Sequence, residues 1–228
     1  MISETSAYDL MRQIEQDYQK ETRLNDRKDY SIFYGPLLKS SFAVVDQNPG
    51  GNPVPDGYRI VDVMNGQHEL VEGRNSGPTT RKQAQLLMRL TRSSTPDGLR
   101  KIQKINRYFR RGAGADKKAG MREAAPYLKR ILAYIEPKLL VVGGAGIRGR
   151  EINDFARVMG GSFRLDEDSI ILGPNGTHEA LYFCTGNVSI PGLRPMRVIG
   201  TYHPSKWHET FYKKAYAAME TEFKKIAG

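Results

Sequence analysis

The stretch Ser41-Phe42-Ala43-Val44-Val45-Asp46-Gln47-Asn48-Pro49-Gly50-Gly51 changes character within one step. Phe42 to Val45 are apolar, two of them β-branched, and read as a buried strand. Asp46, Gln47 and Asn48 then put three polar side chains at the strand's end. Pro49-Gly50-Gly51 turns the chain and lets other groups approach its backbone closely. In open α/β sheets, ligands bind outside the carboxyl ends of the strands. The stretch therefore reads as a core strand running into the floor of a site; an ordinary strand and turn fit the same residues when they are taken alone.

Working outward, Met196-Arg197-Val198-Ile199-Gly200-Thr201-Tyr202-His203-Pro204-Ser205 repeats the pattern of a short apolar strand ending in polar residues and a proline. Leu139 to Val142 is a buried parallel-type strand. The helix Gly120 to Ile135 precedes it, and Gly143-Gly144-Ala145-Gly146 follows, opening a helix to about Met159. Thr5 to Lys20 and Ser205 onward have helical period. Gly57–Val63 and Gln67–Glu72 read as strands joined at Asn65-Gly66, and Ser169–Leu172 and Ala180–Cys184 as two more. Ser76-Gly77-Pro78-Thr79-Thr80 precedes a helix to about Leu90. A second follows Thr95-Pro96-Asp97, with Leu99, Ile102, Ile105 and Phe109 on one face. Its other face carries Arg100, Lys101, Lys104, Arg107 and Arg111. The expected architecture is a three-layer α/β sandwich with a mostly parallel four-stranded core sheet. It forms a single domain over 1–228, with a basic helical insertion at about 76–118.

The pieces Asn48-Pro49, Pro126-Tyr127-Leu128 with its following strand, and His203-Pro204-Ser205 come in one order. Together they resemble the uracil-DNA glycosylase superfamily, over residues from about 42 to 210. The resemblance implies that Asn48 holds the attacking water and that His203 donates to the base oxygen. Asp46 is an alternative water-activating group; glycine is common at that family position, so the carboxylate is a departure. Gln47, Pro49, Gly50 and Gly51 would line the base pocket, with Tyr58 as the stacking aromatic. Ser205 and Lys206 would touch phosphates. The segment Lys206-Trp207-His208 would supply the wedge into the vacated stack, although Trp207 serves equally well as a core anchor. The family's base-reading Asn ends a strand. Asn106 stands near that place, but within the helical period just described, so the role is not carried onto it. Uracil-specific members have Tyr after the motif's Pro; Gly50 here predicts a roomier pocket that takes a 5-substituted or hypermodified pyrimidine, or uracil. A defence enzyme against phage DNA is one version of this.

Composition supports a nucleic-acid partner. The 228 residues carry a net charge of +10, and between Arg81 and Arg150 there are 18 Lys and Arg against 4 Asp and Glu. Such a density is the electrostatic footprint of a polyanion binder, and Lys101, Lys104, Arg107 and Arg111 are its candidate phosphate contacts. The lone Cys184 excludes a disulfide framework and the four-cysteine iron–sulfur cluster of some family branches. No Cys/His spacing suggests zinc, and the glycine-rich turn lacks a P-loop Lys-Ser/Thr, so no cofactor is expected. Met1 to Leu24 is polar, with no signal peptide, and no apolar run approaches a membrane span. A cytoplasmic monomer acting on DNA is the expectation. A non-catalytic DNA-binding module is the competing class, and a pure binder needs neither Asn48 nor His203. A nucleotide hydrolase would not need so large a basic region.

Overall fold

The computed structural model describes residues 4–24, 29–47, 60–72, 78–110, 116–173 and 181–227. Asn48, Pro49, Gly50, Gly51, Tyr58 and Arg111, all singled out above, lie outside the described residues. Four strands run parallel: β1 (Phe42–Asp46), β2 (Gln103–Asn106), β3 (Leu139–Gly143) and β6 (Met196–Thr201). The hairpin of β4 (Ser162–Leu172) and β5 (Leu181–Ser189) continues the sheet antiparallel, giving the order β2-β1-β3-β6-β5-β4. The sheet thus has six strands and is mixed, where the sequence predicts four. The hairpin is longer than Ser169–Leu172 and Ala180–Cys184 suggest, because pairing starts at Ser162 with Ser189. Its outer strand carries Arg164, Asp166, Glu167 and Asp168. Such charges protect a sheet edge and at the same time mask the strand signal.

Alternation along β1 divides two cores. Ala43 and Val45 join Leu140, Val142 and Val198 under α1 (Glu4–Thr22), α4 (Lys117–Ile135) and α5 (Arg150–Val158). Val44 joins Val141 and Ile199 under α3 (Pro78–Thr91) and α6 (Glu209–Ala227). Burying each such valine or isoleucine contributes about 1.5–3 kcal/mol, so helices are held on both faces of the sheet. Among the described residues no helix is long and apolar enough to cross a membrane.

Ile60–Met64 forms a short helix, α2, and Gln67–Glu72 forms turns, so neither is a strand and no hairpin joins them at Asn65-Gly66. Ile60 and Val63 are buried at a three-residue step, and packing against α1 overrides their β-branched preference. Residues 96–106 are a 3₁₀ turn, Pro96–Lys101, followed by β2. All four β2 residues, Gln103, Lys104, Ile105 and Asn106, are buried. The apolar three-to-four spacing of Leu99, Ile102 and Ile105 mimics a helix only because the polar strand residues between them are buried as well. The span 78–110 is therefore no inserted arm: α3 packs in the second core and β2 pairs with β1.

His68 lies beneath β2, 1% exposed, with Nε2 bonded to the Ile102 carbonyl at 3.0 Å. Burial pushes its pKa down to about 4. The unfolded chain then binds more protons than the folded one between pH 6.5 and 4, so stability falls as the solution is acidified through that window. The expected loss is about 3 kcal/mol. Urea unfolding at stepped pH should show it in the wild type and not in His68→Gln; identical pH slopes would dismiss His68 as the source.

Candidate functional site

The four parallel strands end side by side. Asp46 is in register with Asn106, and Gly143 with Thr201. The glycines after β3 make room for their neighbours. A Cβ on Gly143 would lie 3.0 Å from Asp46 Oδ1 and 3.1 Å from the Pro204 ring. At Gly144, with φ +68°, it would lie 3.1 Å from Gln47 Nε2, 3.5 Å from the His203 ring and 3.7 Å from Arg107 Nη2. Of the residues expected at the site, the fold thus brings together Asp46, Gln47 and His203, and it adds Arg107.

Asp46 is a fixed anion. Its Oδ1 accepts from Gln83 Nε2 at 2.5 Å, and its Oδ2 lies 3.2 Å from Lys104 Nζ. Lys104 also meets the Glu69 carboxylate at 2.9 Å and donates to Thr80 Oγ1, which donates to Glu69. Burial works against the Lys104 ammonium, but Glu69 and then Asp46 outweigh it, and its pKa is raised. Both carboxylate oxygens of Asp46 are thus tied into this buried network.

The basic residues divide differently from the sequence reading. Lys104 is 7% exposed and Arg107 1%, so neither faces solvent phosphates. Arg107 pairs with Glu151 at 3.2 Å and donates from Nη2 to the Gly143 and Gly144 carbonyls at 3.3 and 3.4 Å. Burial lowers its pKa against the pull of Glu151 and Asp46. Lys101 is exposed but precedes β2, at the end of the sheet opposite the site. Helical period placed all three on one solvated face; the strand separates them.

Asn106 ends a strand after all. It is 1% exposed, donates from Nδ2 to the Tyr34 hydroxyl at 2.6 Å, and leaves Oδ1 enclosed without a partner. Tyr34 is buried beside the site. Neither its contact with Asn106 nor those of Gln83 and Glu69 with Asp46 and Lys104 follow from any spacing in the sequence.

His203 opens the turn Pro204–Lys206. Its Nδ1 takes the Ser205 backbone N–H at 3.3 Å and lies 2.7 Å from Ser205 Oγ. A backbone N–H can only donate, so Nδ1 is the acceptor and the proton sits on Nε2. Burial first, and then Arg107, Lys206 and Lys117, lower the His203 pKa, with Asp46 opposing. Lys82 pins the turn by donating to the Ser205 and Trp207 carbonyls at 3.0 and 2.8 Å. Trp207 is an anchor and no wedge: it is 3% exposed, stacked on Phe211 with 5.1 Å between ring centroids, and its Nε1 donates to the Tyr202 carbonyl. Ser205 and Lys206 are exposed beside it.

A cationic rim surrounds this end. Arg81, Lys117, Lys118, Arg150 and Lys206 are exposed near the starts of α3, α4, α5 and the His203 turn. The first turn of α3 holds no acidic residue, while the N-cap of α4 is Asp116, which accepts from the Lys118 and Ala119 N–H groups, and the first turn of α5 holds Glu151. Cations at a helix N-terminus work against its dipole, a placement that an anionic partner relieves. Among the described residues no group of three or more His, Cys, Asp or Glu is arranged to hold a metal ion. No family model matches the chain, and no curated protein matches it.

Proposed function

We propose that the chain is a DNA glycosylase of the uracil-DNA glycosylase type that flips a pyrimidine out of DNA and hydrolyses its N-glycosidic bond without a cofactor. One observation carries the reading: His203 is held with Nε2–H free at the end of β6, across Gly144 from Gln47, the residue from which the chain runs into Asn48. Bond cleavage leaves negative charge on the base and an oxocarbenium-like sugar. The Nε2–H donor meets the charge growing on the base oxygen. The Asn48 amide positions water on the sugar's far side, and the fixed Asp46 anion favours the sugar cation. Gly50 leaves the carbon-5 side of the pocket open to a 5-substituted or hypermodified pyrimidine, phage DNA being one source, with uracil as the other candidate substrate. The same reading carries a monomer acting in the cytoplasm.

The test is incubation with DNAs carrying uracil, 5-hydroxymethyluracil, 5-hydroxymethylcytosine or its glucosylated form, followed by alkaline cleavage and detection of free base. Release from a 5-substituted substrate at least as fast as from uracil is expected. No release from any of them would end the reading.

The DNA path is predicted along the rim. Replacing Lys117, Lys118 and Lys206 with alanine should weaken binding evenly across sequences and flatten the plot of log affinity against log salt by about 2–3 units. Lys101→Ala, at the far end of the sheet, should change neither. Anisotropy titrations at several salt concentrations measure both, and an effect of Lys101→Ala equal to the triple variant would put the DNA elsewhere.

A further inference from the structure

A base that leaves a duplex leaves a gap, and enzymes of this kind fill it with an inserted side chain. Trp207 cannot do so, since it is stacked on Phe211 inside the second core. Another apolar side chain stands at the same end of the sheet. Ile147 is 40% exposed, one of four large apolar residues among those described with 38% exposure or more. It lies three residues beyond Gly144, whose missing side chain makes room for Gln47, His203 and Arg107.

The backbone that carries Ile147 is strained and pinned. Gly144, Gly146, Arg148 and Gly149 all have positive φ, at 68°, 74°, 48° and 73°. Arg148 is not a glycine, and such strain in a non-glycine residue persists only where the surroundings impose it. Those surroundings are visible on both sides of Ile147. Ala145 is fully buried and donates its N–H to the Thr201 carbonyl, and its own carbonyl accepts from the Glu151 N–H. Gly149 is seated so closely on Phe163 that a Cβ would approach the ring to 2.6 Å. Arg148 is drawn to Glu167 on β4 at 2.5 Å. A fixed loop thus presents one aliphatic side chain to solvent, flanked by Arg148 and Arg150.

We infer that Ile147 is the wedge that enters the base stack beside the flipped nucleotide, with Arg150 facing the phosphates. This rests on the glycosylase reading. The experiment compares wild type, Ile147→Ala and, as a control for loss of an exposed aliphatic group, Leu172→Ala, each on the same modified base in duplex and in single-stranded DNA. A single strand offers no stack to fill. Ile147→Ala should lose about tenfold or more on duplex and stay within about twofold on single strands, with Leu172→Ala unchanged on both. Equal losses on both forms, or none on either, would overturn the assignment. If the wild type releases no base from any DNA, the glycosylase reading falls, and binding decides the wedge. Preference for a duplex with a preformed abasic site over an intact one, lost in Ile147→Ala, supports it; a preference unchanged by the substitution, or absent from the wild type, overturns it.

Discussion

His203→Ala is expected to lower base release by about 10²–10³-fold while the protein remains folded, since one donor aimed at a developing oxyanion is worth about 3–4 kcal/mol. The fold should survive because Pro204 and Trp207 are buried independently of the imidazole, and Lys82 pins the turn through carbonyls. The pH profile tests the arrangement more closely than the loss itself. Nδ1 accepts from the Ser205 N–H, so protonating it sets two donors against each other. The folded pKa is lowered from the ordinary 6.5. The active neutral form is therefore complete at neutral pH and is lost as the pH falls through a value below 6.5. Ser205→Ala removes a hydroxyl that stabilises the neutral ring, and should move this acid limb upward. Rates that fall with rising pH between about 5 and 7 would make His203 a general acid instead.

How much of this can be read from the sequence differs by element. β1, β3 and β6 are buried in an almost wholly apolar sheet centre, and such strands announce themselves as short apolar runs. His203 and Asp46 were legible for the same reason, as abrupt polar ends to those runs. β2 is the opposite case. Gln103, Lys104 and Asn106 lie inside the protein, and no local pattern separates a buried lysine from a solvated one; only the partners Asp46 and Glu69, 58 and 35 residues away in sequence, decide it. Trp207 was undecidable because its two readings differ only in whether Phe211 lies beneath it. The strained turn at Gly144–Gly149 was legible as glycine-rich, but not the exposure of Ile147, which depends on Phe163 and Glu167 of a strand that begins earlier than its pattern suggests.

Lys104→Met should cost about 3–5 kcal/mol of folding stability, the usual consequence of removing one partner of a buried ion pair. The cause is what remains: Asp46 and Glu69 would face each other's charge in a largely buried site, while Gln83 still donates to Asp46 and Thr80 to Glu69. A carboxylate in that position takes up a proton more readily than in the unfolded chain. Its folded pKa then lies above the unfolded one, so the variant's stability deficit should shrink as the pH is lowered towards 5 and widen as it rises. Adding Asp46→Asn and Glu69→Gln to Lys104→Met removes the stranded charges and should recover most of the lost stability, although it takes away the anion proposed to favour the sugar cation. Urea denaturation of the single and triple variants at two pH values measures all of this. An exposed phosphate contact behaves otherwise: its loss flattens the salt dependence of DNA binding and barely changes stability. A stable Lys104→Met with a reduced salt slope would return Lys104 to the DNA surface, and would mean that the buried network beneath Asp46 is not what holds the end of β1 in place.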